Sequence, residues 1–440
     1  MSLKKNILAN YLGTAVTALA PMLALPYYLQ SLGITVWGLV GFIAMLNTVL
    51  SLLDAGLSQA LIKEFAAANE VNQVKKYKLG TLLFGFECVY WGFAFFAGAI
   101  LFVFSHQIVH GWLELKNVSL SQAQLAIYGA AAIIIFQLPG SIYRSLLAGT
   151  QSQVLLNKIL ISGSLFRHIG GVLLVLKSPT LETYLIWQVF SVGLETLVRS
   201  FFSWRTLTVK RSESHWDSVL MKQMFAPTAG MSIATLLGAI TVQMDKIILS
   251  GMISIEMFGY YVIASTLSLG VLQILYPVVT ATIPHALNLS KKPSELQRFN
   301  FKYAKVVILI IIASGSVFYF IGYEFLLWWL KSVDVAKQVY PLLCVLLVGS
   351  ALNALYTIGY INWVVKGKPF KIMQVNVISF LLSVALIPIL VTKLGAIGAS
   401  ISWLIINSVG LLLSADWLKS HSKRSRLFKQ NHLISADKSK

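Results

Sequence analysis

The sequence predicts an all-α polytopic membrane protein: about twelve transmembrane helices in two six-helix bundles related by a pseudo-two-fold axis. Three observations carry that prediction. Hydrophobic residues make up 57% of the chain and charged residues 12%, and the mean hydropathy of +0.75 is far above that of a soluble domain. Twelve apolar stretches follow one another at 7–31, 36–60, 79–104, 123–143, 155–176, 181–204, 223–250, 257–283, 304–330, 338–364, 372–392 and 395–416. Each reaches the roughly 20 residues that a helix needs to cross the hydrocarbon. They are apolar all round, which excludes the alternating strands of a barrel. The longest hydrophilic interruption, 205–222, falls after the sixth stretch. It divides the chain into bundles at 1–208 and 209–419, with a basic tail at 420–440 that is expected to be disordered.

Taken in order, the spans differ in what they carry. The first is too long for a signal-peptide core and lacks a small-residue cleavage site after it, so it is expected to be retained. It bears Asn6, Asn10, Thr14, Thr17 and Pro21 at three- and four-residue steps, which is one helical face. The second repeats the pattern with Asn47, Ser51, Asp54 and Ser58. Glu87 and Cys88 lie in the third, and Arg144 follows the fourth closely enough to be read as interfacial. The fifth holds Arg167 and His168 near its middle, and the sixth holds Glu195 and Arg199 at the i,i+4 spacing of a helical salt bridge. In the seventh, Thr228, Ser232, Thr235, Ala239, Gln243, Lys246 and Ser250 form another polar stripe, with Asp245 beside it. The eighth has Thr266, Gly270, Gln273, Pro277, Thr280 and Pro284, whose prolines would bend it. Of the last four, the ninth holds Glu324 close to an interface and the tenth holds Cys344. Both cysteines read as small buried apolar residues.

The two halves share a weak repeat. "LGITVWGLVGFIAML" (32–46) matches "MISIEMFGYYVIAST" (252–266) in position and in a central glycine, Gly38 against Gly259. Duplicated halves with substrate held between them are a transporter habit.

The net charge of +19 raises nucleic acid as a partner, but its distribution argues against it. With a cytoplasmic N-terminus and twelve alternating spans, 27 of the 35 Lys and Arg residues fall on the cytoplasmic side. The positive-inside rule then puts both termini in the cytoplasm, and the basic loops face anionic lipid.

A guanidinium at bilayer depth costs about 2.5–3.5 kcal/mol on insertion scales, so Arg167 needs a polar cavity or a partner. The stripes on the first two helices of each half and the charges Arg167, Lys246 and Asp245 therefore predict a wet, cationic interior suited to an anionic solute or headgroup. No P-loop, H-E-x-x-H or paired CxxC motif is present, so neither ATP hydrolysis nor a metal site is expected, and no cofactor beyond proton or sodium coupling.

The opening segment, "NILANYLGTAVTALAPMLALPYYLQSLGITVWGLVGFIAMLNTVLSLLDAGLSQALIKEFAA", together with "GTQSQVLLNKI" (149–159) and "QMDKIILSGMISIEMFGYYVIAS" (243–265), resembles the polysaccharide repeat-unit flippases. These are the O-antigen and capsule lipid-linked oligosaccharide translocases of the multidrug/oligosaccharidyl-lipid/polysaccharide exporter superfamily. The resemblance implies a V-shaped pair of bundles in the bacterial inner membrane, alternating access, and a central cationic cavity for a polyprenyl-diphosphate oligosaccharide. A polysaccharide polymerase and a chain-length regulator would be partners. By position it puts Asn10, Asp54, Arg167, Asp245 and Lys246 at that cavity. Arg167 and Lys246 would hold the diphosphate, with His168 beside them, while Asn10, Thr14, Gln243 and Thr235 bond sugars or line the path. Asp54, Glu87 and Asp245 would couple a proton or sodium ion, and the pair Glu195 and Arg199 belongs to the same coupling and gating set. A multidrug exporter of the same superfamily would prefer an acidic cavity, and a membrane polymerase or ligase would present a large external loop. Neither feature is visible here.

Overall fold

A computed structural model describes the backbone of residues 3–52, 54–68, 73–207 and 209–418. Within them it describes the side chains except at 3–8, 55, 56, 59, 68, 73–77, 224–236, 274–278, 280 and 281. The tail at 420–440 and the side chain of Thr235 lie outside the described residues.

The first helix, α1 (Leu3–Leu52), has 50 residues, and straight it would be about 75 Å long, far more than one crossing needs. Gly33 breaks it, with φ 79° and ψ 163°, a conformation only glycine adopts without strain. Thr17 before the break and Ser51 after it line one cavity, so the two limbs run back alongside each other as separate spans. After the turn at Asp54 the second limb continues into α2 (Ala55–Ala68). Then come α3 (Gln73–Val103), the short α4 (Ser105–Gly111), α5 (Leu120–Gly149), α6 (Gln153–Lys177) and α7 (Leu181–Thr206). A 3-10 turn at Arg211–Glu213 leads to α8 (Ser218–Ser250), α9 (Ile255–Asn288), α10 (Pro293–Leu330), α11 (Val333–Val365), α12 (Pro369–Leu394) and α13 (Ala396–Ser414).

Among the described residues ten helices are long and apolar enough to cross a membrane, counting Ala9–Leu52 once. Its two limbs, with α3 and α5 to α13, correspond to the twelve stretches read from the sequence. The chain is a multi-pass membrane protein. Helix starts carry their own stop signals: Ser119, Thr180 and Asp217 accept hydrogen bonds from backbone N–H groups at the heads of α5, α7 and α8. Cys88 departs from expectation, because it sits on the exposed face of α3 rather than in the core.

The halves meet at Gly38 and Gly259, the two glycines that align in the internal repeat. A Cβ on Gly38 would lie 2.0 Å from the Ile255 carbonyl oxygen, and one on Gly259 would lie 2.9 Å from the Ile34 carbonyl oxygen. Each glycine thus faces the residue four before the other, a reciprocal contact that a two-fold axis requires. On the same side, the loop after α4 meets the loop between α8 and α9. Trp112 Nε1 donates to Ser250 Oγ at 3.0 Å and Asn117 Nδ2 donates to Glu256 Oε2 at 3.3 Å.

Candidate functional site

The site begins with Arg167 on α6. Its guanidinium bonds Glu195 Oε2 on α7, and Arg199, one turn further along α7, bonds Glu195 Oε1. Arg199 also donates to the Gly140 carbonyl oxygen at 3.3 Å. One carboxylate therefore bridges two guanidiniums, and its side chain is only 7% exposed against 26% for Arg167 and 14% for Arg199. The backbone around the charge is fixed by neighbours: Trp187 Nε1 donates to the Arg167 carbonyl oxygen at 2.9 Å, and the Tyr28 hydroxyl donates to that of His168 at 3.3 Å.

This triad opens onto a cavity of about 550 Å³ whose wall includes Thr17, Ser51, Asp54, Gln137, Ser141, Arg144, His168 and Thr196. Every lining residue comes from α1, α5, α6 or α7, or from Asp54 at the end of α1's second limb. The cavity is therefore inside the N-terminal half, not between the halves as the sequence suggested. The reason is that α6 and α7 turn their charged faces inward against α1 and α5, where the first limb of α1 supplies Thr17 and Pro21. Three arginines stand against two carboxylates, so the cavity is net basic. Arg167 Nε, Arg199 Nε and His168 Nδ1 are buried without a hydrogen-bond partner among the described residues. The two arginine Nε–H groups are orphan donors, costly at about 1–3 kcal/mol each, and they suit a ligand rich in acceptor oxygens.

The space between the halves is different in kind. A chamber of about 860 Å³ is lined by Tyr11, Thr14, Ala18 and Met22 of α1, Gly270 and Gln273 of α9, Phe318 and Phe325 of α10, and Leu343 and Leu347 of α11. It is largely apolar. The first limb of α1 separates the two spaces, with Thr17 and Pro21 on one and Thr14 and Ala18 on the other.

The remaining candidates scatter. Asn10 accepts a hydrogen bond from Asn157 Nδ2 at 2.5 Å and is exposed. Thr14 belongs to the apolar chamber. Gln243 is half-buried and lines neither space. Lys246 does not share a cavity with Arg167. It is buried in the C-terminal half with Nζ 3.3 Å from Asp245 Oδ1, and Asp245 also accepts from the Tyr261 hydroxyl at 2.7 Å. Adjacent residues leave a helix in different directions, and the flexible lysine stem brings its ammonium back to the neighbouring carboxylate. Asp54 accepts from the Tyr90 hydroxyl and from Ser58 Oγ, the latter at 2.7 Å. Glu87 accepts from the Tyr143 hydroxyl at 2.9 Å and Trp204 Nε1 at 2.7 Å, and Arg211 of the linker lies 3.0 Å from its second oxygen. It is fastened outside the cavity.

Arg144 is what sequence reasoning passed over: it lines the cavity instead of resting at the interface. Its signal was present, since Gln137, Ser141 and Arg144 recur at helical spacing on one face of α5.

The chain is similar to a Shigella flexneri protein described as an O-antigen transporter, 24% identical over 428 residues that cover 95% of this chain and 98% of the relative. Its fold is similar to that of the lipid II flippase MurJ in an inward closed conformation. There the TM-score is 0.69 at 14% identity, covering 94% of this chain and 87% of that one. It is also similar to an inward-facing multidrug resistance MATE family transporter of the MOP superfamily, with a TM-score of 0.66 at 16% identity, covering 93% and 96%. Residues 3–290 match the model of the family described as polysaccharide biosynthesis protein, and the chain belongs to that family.

Proposed function

We propose that this protein moves a polyprenyl-diphosphate-linked oligosaccharide from the cytoplasmic to the outer leaflet of the bacterial inner membrane, for O-antigen or capsule assembly. The single observation that carries the reading is the arginine cavity, with its buried orphan donors, lying beside an apolar chamber. Sugar hydroxyls each cost several kcal/mol to bring into hydrocarbon unpaired, so the cargo does not cross alone. Arg144, Arg167 and Arg199 bind diphosphate oxygens in fork geometry, while the apolar chamber takes the polyprenyl end. His168, in the wall of the arginine cavity, is the candidate for the sugar path in this conformation. Asn10, Thr14, Gln243 and Thr235 would join that path, and Lys246 the phosphate site, only in a conformation that opens the halves and the pairing of Lys246 with Asp245. Both termini are cytoplasmic in this reading, and a polymerase and chain-length regulator accept the product. The membrane potential drives the charged cargo outward in this reading, and Asp54, held by Tyr90 and Ser58, is the carboxylate that an ion-driven alternative would use. An exporter of cationic drugs would meet a net basic cavity, which repels it.

The test is flipping of a fluorescently labelled polyprenyl-diphosphate oligosaccharide in proteoliposomes. Each charge-assisted hydrogen bond lost is worth about 1.5–3 kcal/mol, so Arg167→Ala and Arg144→Ala should each slow flipping by about tenfold or more. Unchanged flipping in both variants refutes the reading.

A further inference from the structure

We propose that Glu195 is the internal counter-anion of the arginine cavity: the cargo's phosphate displaces it from Arg167 and Arg199, and it withdraws into a fissure between α6 and α7. The proposal rests on the flippase reading above and assigns one residue the job of making capture reversible.

The empty cavity shows what the carboxylate does. Its two oxygens are divided between two guanidiniums, one each, as the oxygens of a phosphate would be. Unbridged, two buried cations would repel each other and lose their preset spacing. Glu195 also leaves donors unused, since Nε of both arginines lacks a partner among the described residues. A diphosphate carries more oxygens and more charge, so it can satisfy those donors as well. Binding is then an exchange of one anion for another. A cavity of bare arginines would hold a diphosphate too firmly to let it go, and transport needs a site weak enough to empty.

The displaced carboxylate has somewhere to go. A second space of about 510 Å³ lies between α6 and α7 on the outer side of the half, lined by Lys158, Ser162, Gly163, Phe166, Ser191 and Phe202 among others. Glu195 lines both this fissure and the arginine cavity, and no other described residue does. Between them stands Gly163, where a Cβ would lie 2.8 Å from Glu195 Cδ and 2.9 Å from Oε2. The missing side chain leaves the room that the carboxylate occupies at the mouth of the fissure. Lys158, one and a half turns before Gly163 on α6, supplies the cation on the far side.

Farnesyl diphosphate binding to the full-length protein in nanodiscs, by calorimetry, tests this. Glu195→Gln should bind about tenfold tighter than wild type and, in the flipping assay, lower both KM and kcat. Gly163→Ala should also bind tighter than wild type, by up to about tenfold, because the added methyl would crowd Glu195 where it bridges the arginines and loosen that hold. In the Glu195→Gln background the Gly163→Ala effect should vanish, since the ionic bridge it loosens is already gone. Equal or weaker binding by a folded Glu195→Gln overturns the proposal. Should that variant not fold, Gly163→Ala decides alone, and wild-type or weaker affinity there overturns it. Wild type that fails to bind farnesyl diphosphate at all sinks the flippase reading instead, so the two failures are distinct.

Discussion

Replacing Gly38 by alanine should hold the halves apart where they now touch. The new Cβ would meet the Ile255 carbonyl oxygen at 2.0 Å and its carbon at 2.9 Å, against an ordinary contact of 3.4 Å or more. Both partners are backbone, so no rotamer change relieves the clash, and α1's second limb must move off α9 by more than an ångström. Overpacking of this kind costs about 1–3 kcal/mol, which shifts the ratio of closed to open forms by roughly 5–150-fold. Gly259→Ala should do less, because its Cβ would reach the Ile34 carbonyl oxygen at 2.9 Å and the Gly38 nitrogen at 3.2 Å. The reporter is a cysteine pair at Asn117 and Glu256, whose side chains are 3.3 Å apart in the closed form, with Cys88 and Cys344 replaced. Disulfide yield should fall steeply in Gly38→Ala and moderately in Gly259→Ala. Equal yields in all three proteins would mean that the glycine crossing does not control closure.

Two further contrasts follow from buried pairs. Lys246→Ala strands the Asp245 carboxylate in a site where both side chains are 10% exposed, so it should lose about 3–5 kcal/mol of stability. Asp245→Asn combined with Lys246→Met should recover most of the thermal midpoint, and an unchanged midpoint in Lys246→Ala would refute the pairing. Glu87→Ala orphans the Tyr143 hydroxyl and the Trp204 indole, each at about 1–3 kcal/mol. Arg211→Ala should cost under about 1 kcal/mol, because its side chain is 60% exposed. Denaturation in detergent reads the difference, and equal losses would place the anchor in the ion pair rather than in the hydrogen bonds.

Element number and polarity were legible because bilayer thickness and backbone hydrogen bonding leave few ways to write a spanning helix. The repeat around Gly38 and Gly259 was legible too, since close helix crossing demands a residue without a side chain. The Glu195–Arg199 pair followed from spacing along one helix. What could not be read was which helix faces which. Arg167 and Lys246 are both intramembrane cations in the sequence, yet one opens on a cavity and the other closes on its neighbour. That difference depends on the rotation of α6 and α8 against their partners. Thr14 and Thr17 illustrate the same limit. Three residues apart, they share a broad face in projection, but the helix is thin enough that one lines the apolar chamber and the other the arginine cavity.

The anion exchange proposed at Glu195 would set the direction of energy coupling. Protonating that carboxylate would release Arg167 and Arg199 for the cargo, so a proton bound there travels with the anion rather than against it. Outward movement would then carry the proton outward, and an inward proton gradient would oppose transport. Voltage has the opposite sign: each negative charge that leaves an inside-negative compartment gains about 2.3 kcal/mol per 100 mV. Flipping in proteoliposomes should therefore accelerate when an inside-negative potential is imposed at equal pH, and should not accelerate when only the outer solution is acidified. Acceleration by outer acid with the voltage clamped at zero refutes the argument. If Asp54→Asn then abolished that acceleration, coupling would belong to the carboxylate held by Tyr90 and Ser58, which bonds neither arginine.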